Sequence, residues 1–164
     1  MCGSPNLNIR KFRTSDIGRL KRLIHETIDV SYSGVYPCRA VRFFKAFHSE
    51  QKIRERSRNG TILVIEEDGE LTATGSIVNG EIFAVFVHPD MQHGGRGKAL
   101  MQALEDEARA RGVIESELSV SLPSLKFYQD LGYEIVEERS RNVGEGQQLD
   151  FWKARKTLLP AHPE

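Results

Sequence analysis

The run Phe86-Val87-His88-Pro89-Asp90-Met91-Gln92-His93-Gly94-Gly95-Arg96-Gly97-Lys98-Ala99-Leu100 holds the residues best suited to chemistry. An apolar stretch feeds three glycines, and the glycines open a helical pattern. A helix N-terminus presents free N–H groups and the positive end of its dipole, which suits a phosphate. Glycines let backbone wrap an anion with no side chain in the way. A plain strand-to-helix turn would use the same residues, so the glycines alone do not decide. Spacing excludes two common phosphate loops. G-x-x-x-x-G-K-[ST] fails because Lys98 is followed by Ala99 and the earlier glycine is missing. G-x-G-x-x-G fails in this window as well, and its parallel sheet would begin earlier in the chain.

The elements that position this run follow from periodicity. Leu7 to Phe12 alternates apolar and polar, a strand pattern. Thr14-Ser15-Asp16 caps a helix carrying Ile17, Leu20, Leu23, Ile24 and Ile28 at helical spacing. After a loop over Ser31–Pro37, a second helix is expected over Arg39–Arg58, with Val41, Phe44, Phe47 and Ile53 inward. Three strands come next in close order: Thr61–Glu66, Leu71–Val78 and Glu81–Val87, joined by turns at Asp68-Gly69 and Asn79-Gly80. The third is nearly all apolar and is expected to be central and buried on both faces. A helix then runs to Ala110 with Leu100, Met101, Leu104 and Ala108 as its stripe. It is followed by a strand over Ser116–Val120, a short helix over Ser124–Leu131, and strands over Tyr133–Glu138 and Leu149–Thr157. Hairpins in the first half imply antiparallel pairing, and strand–helix alternation in the second implies parallel pairing, so the fold class is mixed α/β.

A chain of 164 residues suits one domain, residues 1–164. Its 39% apolar and 28% charged content is globular rather than disordered. Basic and acidic residues number 23 each, giving no net charge, which speaks against a dedicated nucleic-acid binder. Apolar runs are too short to span a membrane. Met1-Cys2-Gly3-Ser4-Pro5 lacks the pattern of a secretory signal, and Cys2 and Cys38 make no metal or redox spacing. These readings place the protein in the cytoplasm with no metal.

Gln92, Gly95 and Gly97 fit Q-x-x-G-x-G, and here the chain resembles the GNAT superfamily of acetyl-CoA-dependent N-acetyltransferases, whose motif is [Q/R]-x-x-G-x-[G/A]. Val87-His88-Pro89 resembles the family's V-x-P, and Phe127-Tyr128-Gln129-Asp130-Leu131-Gly132-Tyr133 resembles its F-Y-x-x-x-G-[F/Y] block. The order of elements matches across about residues 7 to 158. The resemblance implies a central sheet splayed between its fourth and fifth strands and flanked by helices. The cofactor's pantetheine arm would lie in that gap, paired to the backbone of Phe86 and Val87. Backbone amides from Gln92 through His93, Gly94, Gly95, Arg96 and Gly97 to Lys98 would cradle the pyrophosphate. The Arg96 side chain would face solvent or a phosphate, and Gly94 stands where the family commonly has a basic residue.

Tyr128 matches the tyrosine that protonates the departing CoA thiolate in many members; packing under the last helix is the alternative, and Phe127 suits that task. Glu81 lies at the offset of a glutamate that serves some members as base, though a strand-end carboxylate beside Asn79-Gly80 reads equally well. His88 is the second candidate base, and His93 reads as loop surface. Ser121 stands where many members carry asparagine and is a weaker candidate for the pantetheine. The acceptor pocket is expected from the Ser31–Pro37 loop, with Tyr32 and Tyr36 either lining it or pinning the loop, and from a hairpin over Arg139–Gln148. The implied partners are acetyl-CoA and a primary amine that no residue names, with a homodimer left open. A non-catalytic acyl-CoA sensor or interaction module on the same fold is the alternative.

Overall fold

The structure, a computed structural model, describes residues 7–158. The stretch Met1-Cys2-Gly3-Ser4-Pro5 lies outside them. The strands are β1 (Ile9–Lys11), β2 (Thr61–Glu67), β3 (Glu70–Val78), β4 (Glu81–Val87), β5 (Glu115–Ser121), β6 (Glu134–Gly144) and β7 (Gln147–Thr157). The helices are α1 (Ile17–Ser31), α2 (Cys38–Phe47), α3 (Glu50–Asn59), α4 (Arg96–Ala110) and α5 (Leu125–Asp130). One seven-stranded sheet runs β1-β2-β3-β4-β5-β7-β6, antiparallel throughout except between β4 and β5.

Alternation along β2 divides the core. Ile62 and Val64 pack on Leu20, Leu23, Ile24 and Ile28 of α1, while Leu63 and Ile65 face Leu100, Met101 and Leu104 of α4. This is the two-residue period of a strand covered on both faces by helices. A polar network joins α4 to the sheet on its side. Buried Glu105 accepts from Lys156 Nζ at 2.9 Å and from the Tyr133 hydroxyl at 3.0 Å, and that hydroxyl also bonds Ser116 at 2.7 Å.

Two irregularities open the middle of the sheet. β4 and β5 register only at Glu81–Glu117 and Ile82–Leu118. Beyond Ile82 the β5-facing edge of β4 has no strand against it. On its other side, Ser76 pairs with Phe83 and Thr74 with Phe86, so two steps on β3 face three on β4. That extra residue makes a bulge, with Ala84 at φ +57°. A non-glycine residue in the left-handed region is strained, and such strain is held by its surroundings.

Four expectations need correction. The single helix over Arg39–Arg58 is two helices, broken at His48 and Ser49. Ser49 caps α3 by accepting from the Lys52 amide at 3.3 Å, and this local bond replaces a continued helix. Phe47, expected inward, is 44% exposed. β4 is central but not buried on both faces: Ile82 and Phe86 are buried, whereas Phe83, Ala84 and Val85 are half-buried because the splay leaves them facing cavities. The last hairpin is a two-residue turn at Glu145-Gly146, closed by the Gly144–Gln147 pair, so Arg139 and Arg141 lie within β6. Positive φ at both turn residues matches the right-handed twist of the strands.

Candidate functional site

The glycine turn is built from its own side chains. Gln92 Nε2 donates to the Val87 carbonyl at 3.1 Å, folding the loop back on the end of β4. His88 Nδ1 accepts from the Asp90 amide at 3.1 Å and starts the same turn. Gly95 adopts φ +84° as the residue before α4, a conformation that favours glycine. The first bond inside α4 runs from the Ala99 amide to the Gly95 carbonyl at 3.0 Å. The amides of Arg96, Gly97 and Lys98 therefore precede the helical ladder and point out of its end.

The Arg96 guanidinium is engaged by protein groups. It forks onto Glu67 at 2.7 and 2.8 Å and donates to the Met91 carbonyl at 3.2 Å. This two-pronged, charge-assisted contact ties the turn to the end of β2. It also holds the Glu67 carboxyl down at about 2, with the Arg96 hydrogen bonds as the main cause. Lys98 is exposed and has no ion-pair partner among the described residues. A Cβ on Gly97 would lie 3.0 Å from the Phe127 ring and 3.6 Å from a Val87 methyl. Glycine at 97 thus allows close packing of α4 on α5 and β4.

Two cavities open where the sheet splays. The first, of about 300 Å³, is bounded by Val85, Phe86 and Val87 of β4, by the glycine turn including His93, and by Phe127 of α5. The second, of about 200 Å³, lies toward α2, β6 and β7. Tyr32, Val85, Phe86, Ser124 and Tyr128 line both. Among the described residues no carboxylate lines either one. Tyr128 is 7% exposed, its ring edge-on to Phe127 and Tyr133 with centroids 5.0 and 5.9 Å away. Among the described residues nothing hydrogen-bonds its hydroxyl. Burial pushes this phenol well above its ordinary value, with smaller contributions from Tyr32 and Tyr133, so it stays protonated in neutral and alkaline solution.

The other expected residues are distributed unevenly. Ser121 lines the second cavity, accepts from the Tyr32 hydroxyl at 3.1 Å and bonds Ser124 at 2.8 Å. Tyr36 pins its loop: its hydroxyl donates to the Asp150 carbonyl at 3.0 Å and accepts from the Leu122 amide at 2.8 Å. Tyr32 lines both cavities and is tied by its hydroxyl to Ser121. Glu81 stands at the closed end of the splay, outside the lining of both cavities, paired to Lys153 at 3.2 Å. His88 also lies outside both, 3.6 Å from Glu26.

Sequence reasoning passed over His48. It is buried, lines the second cavity and sits edge-on to Phe86 at 5.2 Å. Arg56 donates to its Nδ1 at 3.1 Å. Arginine can only donate, so the neutral ring carries its proton on Nε2. Burial first, then Arg56 and His25, hold the imidazole well below its ordinary value. The signal was the aromatic run Phe43, Phe44, Phe47 beside His48, of which Phe44 and Phe47 are expected to face the core.

A splayed mixed sheet, with a helix N-terminus at the end of its central strand and a buried tyrosine between two cavities, defines a class of acyl-CoA-binding folds. The Acetyltransferase (GNAT) family profile matches residues 24–133, and the chain belongs to this family. L-amino acid N-acyltransferase MnaT of Escherichia coli is 34% identical over 104 residues, covering 55% of this chain and 60% of that protein. The chain spans only 18–20% of the length of longer curated relatives that it matches. Among solved structures, a GCN5-related N-acetyltransferase from Rhodopseudomonas palustris superposes with a TM-score of 0.86 at 21% identity, over 96% of this chain and 99% of that one. PaiA N-acetyltransferase of Thermoplasma acidophilum, solved with coenzyme A, gives 0.74 at 20% identity, over 93% and 99%. Among the described residues no helix is long and apolar enough to cross a membrane.

Proposed function

We propose that the chain is one cytoplasmic N-acetyltransferase domain that moves the acetyl group of acetyl-CoA to a primary amine in a ternary complex. The observation carrying this reading is the junction of the two cavities at Tyr128, with an amide-lined, cationic turn on one side only. The residues fit the donor. Free amides of Arg96, Gly97 and Lys98 would face a doubly charged pyrophosphate, and Lys98, without an ion-pair partner among the described residues, adds a cation. The unpaired β4 edge from Phe83 to Val87 offers backbone to the pantetheine amides. Ser121, held by Tyr32 and Ser124, is the weaker donor contact.

Bound acetyl-CoA supplies the thioester: the amine nitrogen bonds to its carbonyl carbon, the carbon–sulfur bond breaks, and the sulfur takes up one proton. Tyr128 donates that proton, being protonated at working pH and having no internal acceptor to compete for it. The proton lost by the amine passes through water and restores the phenol. Both candidate bases from the sequence, Glu81 and His88, lie outside the cavities, so the amine enters already deprotonated. Burial in a cavity without carboxylates favours that neutral form. The test is calorimetric titration of acetyl-CoA combined with thiol release against a panel of amines. Micromolar binding with amine-dependent thiol release supports the proposal. Binding without thiol release from any amine would turn the assignment to an acyl-CoA sensor.

A further inference from the structure

The second cavity has a chemistry that selects among amines. Its walls are rings: Phe43, Phe44 and Phe47 from α2, Phe83 and Phe86 from β4, and Phe151 from β7. At about 200 Å³ it is smaller than the ~300–1,000 Å³ of pockets for drug-sized ligands, which suits one amino acid rather than a chain. Arg141 reaches this lining from β6, its guanidinium 4.9 Å from the centroid of Phe43. No carboxylate pairs with Arg141 among the described residues, whereas neighbouring Arg139 holds Glu137 at 2.8 Å and Arg39 faces Glu145 at 3.4 Å. A second guanidinium, Arg56, lies 4.8 Å over the Phe83 ring and bonds His48. The cavity is thus aromatic in its walls and positive in its field.

Such a site discriminates by charge. A polyamine or an amino sugar brings several cations to a cavity with two guanidiniums near it and no acid in its lining. An arylalkylamine fills the rings but leaves Arg141 without an anion. An amino acid with an aromatic side chain meets each requirement: ring against rings, carboxylate at Arg141, and amine free to reach Tyr128 and Ser124, which both cavities share. We propose that the acceptor is a free α-amino acid with an aromatic side chain, its carboxylate held by Arg141. This proposal rests on the acetyl-transfer reading and narrows it.

The experiment compares kcat/KM by thiol release for phenylalanine, phenylalaninamide, alanine and spermidine with the full chain and with Arg141→Met. Phenylalanine is expected to exceed its amide and alanine by about tenfold or more, since the amide lacks the charge and alanine the ring. Arg141→Met should lower the phenylalanine-to-amide ratio about tenfold. Reading a ratio within each protein removes any general loss of activity. An amide used as well as the acid, or a preference for alanine or spermidine, overturns the inference while acetyl transfer stands. Should no amine release thiol, acetyl transfer itself fails, and calorimetry of phenylalanine decides the cavity. Binding weakened by Arg141→Met then supports the assignment; no binding, or equal binding in both proteins, overturns it.

Discussion

Substituting Gly97 separates packing from ligand contact at the glycine turn. A Cβ at this position meets the Phe127 ring at 3.0 and 3.1 Å and a Val87 methyl at 3.6 Å. Gly97→Val adds two further methyls toward the same wall. Overpacking of this kind costs about 1–3 kcal/mol. Leaving glycine inside a helix returns only a few tenths of that when the replacement is β-branched. The net loss of about 1–3 kcal/mol corresponds to roughly 3–9 °C in Tm for a chain of this size. Phe127→Leu in the same chain makes room, so the double variant should lose less than the two single losses combined, with a coupling of about 1 kcal/mol. Thermal unfolding of the four proteins measures this, and acetyl-CoA calorimetry runs beside it. An unchanged Tm in Gly97→Val, together with lost acetyl-CoA affinity, would mean that the side chain enters the cradle rather than meeting Phe127, and would refute the packing argument.

Other expectations follow from the charges. The rising limb of kcat/KM with pH should track the pKa of whichever amine is used, because neither Glu81 nor His88 lines the cavities, and Glu81→Gln should leave it in place. A limb that moves in Glu81→Gln returns the role of base to that carboxylate. No alkaline fall due to Tyr128 is expected below pH 10, because burial raises this phenol; a fall in kcat near pH 9 that Tyr128→Phe abolishes would contradict the burial. Glu67 is lowered on folding, from 4.5 to about 2, so the stability it contributes is complete above pH 4.5 and is lost as pH falls toward 2. Acid unfolding of Glu67→Gln should lack that part of the slope, and its acetyl-CoA affinity should drop as Arg96 is released. Identical acid profiles for the two proteins would show that the pair adds nothing to folding.

Local spelling carried much of the fold. The turns at Asp68-Gly69 and Asn79-Gly80 set the hairpins of β2, β3 and β4, and the stripe Leu100, Leu104, Ala108 marked the buried face of α4. Gln92, Gly95 and Gly97 marked the turn. What stayed hidden depends on residues far apart in the chain. Arg96 answers to Glu67, 29 positions earlier, and no pattern near the glycines announces it. The direction of the missing side chain at Gly97 depends on Phe127, which α5 brings back across the turn. The break at Ser49 was spelled as a cap but was overridden by the helical spacing of Phe44, Phe47 and Ile53. The aromatic cavity draws on α2, β4 and β7 together, so Phe44 and Phe47 read as core until the splay showed that they face space. Glu81 kept the right offset from Gln92 and still stands at the closed end of the splay, because offset along a strand does not say how far the gap extends.

Acetyl transfer as proposed depends on Tyr128 as the proton donor at the junction of the cavities. The direct measurement is kcat for Tyr128→Phe against the wild type, with saturating acetyl-CoA, the best amine of the panel, and product release shown not to limit the rate. The ring and its contacts with Phe127 and Tyr133 are kept, so acetyl-CoA affinity and Tm should change little. Loss of the only proton on that side chain should lower kcat by about 100-fold or more, within the roughly 100- to 10,000-fold range of general acid catalysis. Equal kcat in the two proteins would mean that water or another group protonates the sulfur and that Tyr128 only packs.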